Sequence, residues 1–72
     1  MNKSELIRLE RYLRQTFRHD ALRVVKRPSK DDSAEVYLGE EFLGVLFRDD
    51  EDGEVSYQFN MAILDIDLDP EG

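Results

Sequence analysis

Three short segments of this chain alternate apolar and polar residues, and this alternation constrains the fold more than any other feature. The segments are AEVYLG, EFLGVLF and EVSYQFNM, at residues 34–39, 41–47 and 54–61. Successive side chains of a strand point to opposite faces of a sheet, so the alternation predicts strands with one buried face. The short turn-forming sequences between the segments favour antiparallel hairpins.

The expected pairing gathers the apolar residues of all three strands on one face. A two-residue turn pairs Leu38 with Leu43 or Glu41, and a hairpin around the acidic loop pairs Phe47 with Val55. The predicted apolar face then holds Ala34, Val36, Leu38, Leu43, Val45, Phe47, Val55, Tyr57, Phe59 and Met61.

An amphipathic helix at residues 3–18 is the natural cover for this face. Its apolar stripe has spacings of three and four residues, and Asn2 with Glu5 can form a capping box at its start. Residues 21–27 predict one more strand, which ends at Pro28. The stripe residues are Leu6, Leu9, Leu13 and Phe17. We expect a single α+β domain over residues 1–72: an N-terminal helix packed on one face of a roughly four-stranded antiparallel meander.

The opposite face of the sheet has no obvious cover. We expect Tyr37, Phe42 and Leu46 to form an apolar island on it. Gly44 lies inside a strand, which indicates a bulge or a close approach from the uncovered side.

An extended tail at residues 62–69 follows the last strand. Leu64, Ile66 and Leu68 alternate with Asp65, Asp67 and Asp69. A bulge near Ala62 could turn the tail to the other face, or a straight continuation could bring its apolar residues to the island. The tail could pair with the first strand or with a second copy of the protein.

The charge of the chain is unevenly distributed. Residues 1–30 hold nine basic and three acidic side chains, giving +6, and residues 31–72 hold one basic and fourteen acidic, giving −13. Such asymmetry indicates either an interaction surface or two halves that face each other.

Residues with the spacing of a catalytic or metal site are not evident. The three tail aspartates resemble the start of a calcium loop, but Pro70 replaces the glycine that the sharp turn needs. The acidic loop at residues 49–54 could attract ions loosely, and His19 has no nucleophile or orienting acid at a suitable spacing. We expect no catalytic residue, no cofactor and no metal.

The sequence also resembles a known family, most clearly in the runs DDSAEVYLGEEFLGVL and SYQFNMAILDIDL. The resemblance covers nearly the whole chain and is to short alphaproteobacterial proteins catalogued as domain of unknown function 3126. It implies a free-standing small bacterial protein and supplies no activity, cofactor or catalytic residues.

These observations favour a non-catalytic protein-interaction module in the cytoplasm, without a membrane segment. We expect an unknown protein partner, or a second copy, to contact Tyr37, Phe42, Leu46, Leu64, Ile66 and Leu68. The alternative is a nucleic-acid or ribosome-associated factor, although the net charge of −7 makes nucleic-acid binding unfavourable. It would use a basic patch of Arg8, Arg11, Arg14, Arg18 and Lys26.

Overall fold

One helix and a four-stranded antiparallel sheet make up the fold, as the alternation predicts. The computed structural model describes residues 1–70. The elements are α1 (Lys3–Phe17), β1 (Leu22–Arg27), β2 (Lys30–Leu38), β3 (Glu41–Asp49) and β4 (Ser56–Asn60), followed by a 3₁₀ turn at Asp65–Asp67. The strands lie in the order β1-β2-β3-β4, which is a meander. The α+β fold class is therefore confirmed.

The capping box predicted at the start of α1 is present. The side chain of Asn2 accepts a hydrogen bond from the Glu5 amide at 2.8 Å, and the Glu5 carboxylate accepts one from the Asn2 amide at 3.0 Å. Both bonds satisfy amides that have no partner within the helix, so the sequence fixes where α1 begins.

The C-terminal end of α1 is closed by a residue in the left-handed conformation. Arg18 has φ 54°, and the amides of Arg18 and His19 both donate to the carbonyl of Arg14. Glycine is the usual residue here, because a Cβ atom strains this backbone conformation.

Replacing Arg18 with glycine is therefore expected to raise the free energy of unfolding by about 1 kcal/mol. Urea denaturation followed by circular dichroism measures this change. Arg18→Ala removes the same charge but keeps the strained Cβ atom, so it should leave stability nearly unchanged. Equal stabilisation by both variants would attribute the effect to the charge and contradict the backbone argument.

The hairpin between β2 and β3 forms with a two-residue turn, but β3 contains an irregularity that changes its faces. Leu38 pairs with Glu41 and Tyr37 with Phe42, whereas Val36 pairs with Gly44. Leu43 is thus an extra residue on β3, and beyond it the alternation is inverted. Leu46 is buried on the helix-covered face and 3% exposed, so the prediction that it lies in the uncovered island is wrong.

The hairpin between β3 and β4 also has a different register from the expected one. Phe47 pairs with Gln58 rather than Val55, and Leu46 pairs with Phe59. The two changes together put Leu46, Tyr57 and Phe59 under the helix and leave Phe47 on the uncovered face. Val55 precedes β4 and is exposed.

The start of β2 differs from the sequence pattern as well. The strand begins at Lys30, four residues before the expected start, because Lys30 pairs with Arg27 across the tight turn at residues 28–29.

The core lies between α1 and the sheet. α1 packs most closely on β1, so the β3 and β4 side of the covered face receives less of its cover. The buried apolar residues are Met1, Leu13, Leu22, Val24, Ala34, Val36 and Leu46, with Leu6, Leu9, Leu38, Leu43, Tyr57 and Phe59 packed around them and partly exposed.

Candidate functional site

The tail begins one residue earlier than the sequence predicts, because β4 ends at Asn60, and it is defined from here on as residues 61–69. It leaves the sheet with its apolar side chains in solvent. Ile63 is 65% exposed, Leu64 59%, Ile66 86% and Leu68 58%. β4 ends at Asn60, so the tail neither extends the strand nor pairs with β1. Each expected arrangement within one chain is wrong, and pairing with a second copy stays a prediction.

Local hydrogen bonds hold the middle of the tail in a turn. The amide of Asp67 donates to the Leu64 carbonyl at 2.8 Å, and the Leu64 amide donates to the Asp67 carboxylate at 3.0 Å. These contacts order the tail without burying any of its large side chains.

An open apolar groove of about 280 Å³ lies between the C-terminal half of α1 and the sheet. Its lining is almost entirely apolar, so an apolar occupant would release poorly bonded water. Phe17 stands at its edge and is 57% exposed. The groove is lined by Leu13, Phe17, His19, Leu22, Val36, Leu38, Leu43, Phe59 and Met61.

Basic residues lie close in sequence to the groove residue Phe17, with Asp20 after them, whereas the tail is acidic. Arg18 and His19 follow Phe17 directly at the end of α1, and Arg14 lies one turn earlier. The tail has Asp65, Asp67 and Asp69 between its apolar residues.

The uncovered face of the sheet presents a second apolar patch, formed by Tyr37, Phe42, Val45 and Phe47. The Tyr37 and Phe42 rings meet edge to face at 5.7 Å, and the Arg23 guanidinium lies 5.2 Å from the Tyr37 ring centre. A shallow depression beside Phe42 and Phe47 extends to Met61 and Ala62 at the start of the tail.

Tyr37 is held in place from both sides on this face. Its hydroxyl donates to the Glu35 carboxylate at 3.0 Å, and this hydrogen bond raises the pKa of Tyr37. Arg23 is fixed in turn, because it donates to the Gly39 carbonyl at 2.7 Å. The exposed parts of the patch are Phe42 and Phe47.

The two edge strands of the sheet, β1 and β4, differ in whether side chains of α1 bond to their outer backbone groups. On β1, the Val24 amide donates to the Glu10 carboxylate at 3.0 Å and the Leu22 carbonyl accepts from Arg14 at 2.8 Å. These helix side chains occupy backbone groups that an added strand would need. β4 lies in a run of ten uncharged residues, Val55 to Leu64, and thus lacks the charges that usually protect an edge strand.

A partly buried ionic cluster connects the start of α1 to β3 and β4. The Glu5 carboxylate accepts from the Tyr57 hydroxyl at 2.7 Å and from Arg48 at 3.1 Å, besides the Asn2 amide. The hydrogen bond from Asn2, then those from Tyr57 and Arg48, lower the pKa of Glu5 to about 2 against the opposing effect of burial. Its partners are all within the chain, so its evident role is structural.

The basic residues of the predicted patch do not all lie on one continuous surface. Arg14 bonds to the Leu22 carbonyl and stands 3.6 Å from Glu10. Arg8 borders the Glu5 cluster instead, and Lys26 is exposed on β1. Arg11, Arg14 and Arg18 line one shallow depression, which Glu10 and Asp20 also line. Nucleic-acid binding through Arg8, Arg11, Arg14, Arg18 and Lys26 stays a prediction.

Among the described residues 1–70, no three His, Cys, Asp or Glu side chains come together as ligands for a metal ion. No helix in the same part of the chain is long and apolar enough to cross a membrane.

The groove and the contacts of Glu5 with Arg48 and Tyr57 were not predicted from the sequence. The sequence does contain a signal for the groove. The apolar stripe of the helix has four residues and the predicted apolar face of the sheet has ten, so one helix cannot cover the whole face. The Glu5 cluster had no comparable signal, since Arg48 and Tyr57 lie 43 and 52 residues further along the chain.

One family model matches residues 5–67, which include all of α1 except its first two residues and all four strands. The chain belongs to the family described as protein of unknown function, DUF3126. No curated protein and no solved structure matches it. The family match therefore covers the groove, the uncovered patch and most of the tail.

Proposed function

We propose that this member of the family is a non-catalytic, cytoplasmic protein-interaction module that associates with a second copy of itself. The observation that carries the proposal is the tail, in which four successive large apolar side chains from Ile63 to Leu68 are each more than half exposed. Monomeric proteins rarely expose several large apolar side chains so close together, and such a cluster is typical of a surface that binds a partner.

The charge distribution favours a second copy as the partner. The acidic tail of one molecule and the basic first 30 residues of another attract each other, and two-fold symmetry repeats that contact. In a single copy the acidic and the basic residues are both exposed to solvent: Asp65, Asp67 and Asp69 in the tail, and Arg18 at the end of α1.

The open edge and the uncovered patch support the same proposal. β4 is uncharged and has no helix side chain on its outer backbone groups among the described hydrogen bonds, whereas β1 has two. Phe42 and Phe47 expose further apolar area next to the start of the tail. The contact surface we propose therefore includes Tyr37, Phe42, Leu64, Ile66 and Leu68, with Val45 and Phe47 in place of Leu46.

Replacing Leu64, Ile66 and Leu68 together with serine is expected to weaken self-association at least about a hundredfold, because each side chain loses the gain from burying its apolar surface. Sedimentation equilibrium up to high micromolar concentration measures the dimer dissociation constant. Since these side chains contribute little to the core, circular dichroism should show an unchanged fold.

The double variant Ile7→Ser with Tyr12→Ser is the matched control. Both residues are exposed apolar side chains on α1 outside the groove, so their loss should leave the dissociation constant unchanged. A wild-type protein that sediments as a monomer throughout the concentration range would overturn the proposed function.

A further inference from the structure

The geometry points to a reciprocal exchange in which the tail of each copy fills the groove of the other copy. We propose that Leu64, Ile66 and Leu68 are the side chains that enter it. This inference rests on the proposed function and deepens it, because it assigns one occupant to the groove.

The groove has the size and chemistry of a site for branched apolar side chains. A dry cavity of about 150 Å³ holds a benzene molecule, so a groove of about 280 Å³ has room for more than one aliphatic side chain. The tail offers three such side chains at alternate positions, with polar residues between them. A single inserted leucine would leave part of the groove filled with water.

One basic side chain beside the groove suits an acidic tail. Arg18 follows Phe17 directly and is exposed, and Asp65, Asp67 and Asp69 would stand outside the groove when the residues between them enter it. The carbonyl end of α1 repels carboxylates with about half a charge, whereas arginine contributes a full positive charge on a flexible side chain. Asp20 and the Glu10 partner of Arg14 reduce the attraction to the tail, which weakens further with salt.

Met61 places the tail beside the groove. It lines the groove and is also the first residue of the tail, so the tail leaves the sheet beside the groove entrance. A two-fold axis near Met61 would place the entrance of each groove next to the departing tail of the partner. The six residues from Met61 to Ile66 span about 17 Å when the turn at Asp65–Asp67 opens and the tail is extended, which is enough for this short exchange.

The tail does not fill the groove of its own chain. All residues from 61 to 70 are exposed, and the turn at Asp65–Asp67 comes four residues after the groove edge. Filling the groove of the same chain requires a reversal directly after Met61, whereas residues 61–64 form no turn.

Cysteine cross-linking between differently substituted copies tests the exchange, because the natural chain contains no cysteine. One protein carries Phe17→Cys at the groove, and the other carries Leu64→Cys, Ile66→Cys or Leu68→Cys in the tail. Mixing and oxidation should give at least about tenfold more mixed disulfide dimer for one of these pairs than for Tyr12→Cys with the same tail variants. Tyr12 is a suitable control because it is 62% exposed on the same helix but outside the groove.

Two further proteins separate this inference from the proposed function. Cross-linking of the tail to Phe47→Cys in preference to Phe17→Cys would overturn the exchange and leave self-association through the uncovered patch intact. A monomeric disulfide in the double variant Phe17→Cys with Ile66→Cys would show that the tail closes its own groove, which also overturns the exchange. A wild-type monomer in sedimentation would remove both proposals.

Phe17→Ser gives an independent measurement without a disulfide. Phe17 is more than half exposed, so the variant should fold, and its dimer should be about tenfold weaker. Tyr12→Ser should leave the dimer unchanged. Equal effects of the two substitutions would contradict a role for the groove.

Discussion

Replacing Gly44 with alanine is expected to lower the free energy of unfolding by about 3 kcal/mol or more. A Cβ atom on Gly44 would overlap the carbonyl oxygen of Asn60, and would lie 3.0 Å from the Asn60 carbonyl carbon and the Met61 Cα atom. All three are backbone atoms, so a rotamer change cannot relieve the overlap. Either β3 or the end of β4 must move.

Gly39→Ala is the matched control for this substitution. Gly39 has φ +62°, but no other atom lies within 4 Å of its Cβ position, so alanine there costs only backbone strain of about 1 kcal/mol. Urea denaturation of both variants compares the two costs directly. If Gly44→Ala were no more destabilising than Gly39→Ala, the end of β4 could not pack against Gly44 as described.

The same contact determines where the tail begins. Asn60 and Met61 lie against Gly44, and Met61 lines the groove. Displacing this backbone moves the start of the tail, so a folded fraction of Gly44→Ala should also dimerise more weakly than Gly39→Ala. Gly44 thus connects the irregularity in β3 to the candidate site.

Local sequence predicted the helix and the turn of the β2–β3 hairpin correctly because their determinants are close together. The Asn2 and Glu5 capping box lies within one helical turn. The two residues Gly39 and Glu40 form the β2–β3 turn, and the positive φ of Gly39 suits it. Neither prediction required knowledge of distant contacts.

The prediction that Leu46 lies on the uncovered face was wrong for a specific physical reason. The run from Phe42 to Phe47 has no charged residue, so its pattern does not show which face each side chain takes once a bulge inserts Leu43. One extra residue inverts every later position of the strand. Gly44 indicated a bulge or a close approach, but only the pairing with Val36 determines the resulting faces.

In the tail, the alternation of apolar and polar residues predicts a strand that does not form. Alternating Leu64, Ile66 and Leu68 favour an extended strand, yet a strand needs a neighbour for its backbone groups. β3 ends its pairing with β4 at Asn60, and helix side chains occupy the outer edge of β1. The outer edge of β4 is open, but the tail would have to reverse directly after Asn60 to reach it, and it instead satisfies part of its backbone in a local turn.

Replacing Glu5 with glutamine is expected to lower the free energy of unfolding by about 2 to 3 kcal/mol at neutral pH. The carboxylate accepts from Asn2, Tyr57 and Arg48, whereas an amide has one acceptor oxygen and turns an NH₂ group toward the remaining donors. The side chain of Arg48 is 32% exposed and that of Glu5 10%, so water partly compensates the arginine. The effect should therefore stay below that of an ion pair buried on both sides.

The contribution of Glu5 should disappear in acid. The folded protein holds the pKa of Glu5 at about 2, well below its ordinary value of 4.5, so the unfolded chain takes up this proton first as the pH falls. The stabilisation is fully present above about pH 4.5 and is lost as the pH falls toward 2. Wild type and Glu5→Gln should accordingly converge in stability over this interval.

Glu40→Gln makes the same chemical change at an exposed turn residue and should alter stability by less than about 0.5 kcal/mol at neutral pH. Tyr57→Phe removes one donor to the carboxylate and should cost about 1.5 kcal/mol. A difference between wild type and Glu5→Gln that stayed constant from pH 7 to pH 2 would contradict the ionic origin of the effect. Because Glu5 fastens the start of α1 to β3 and β4 while Phe17 borders the groove at the other end, Glu5→Gln should also loosen the helix that forms one wall of the groove.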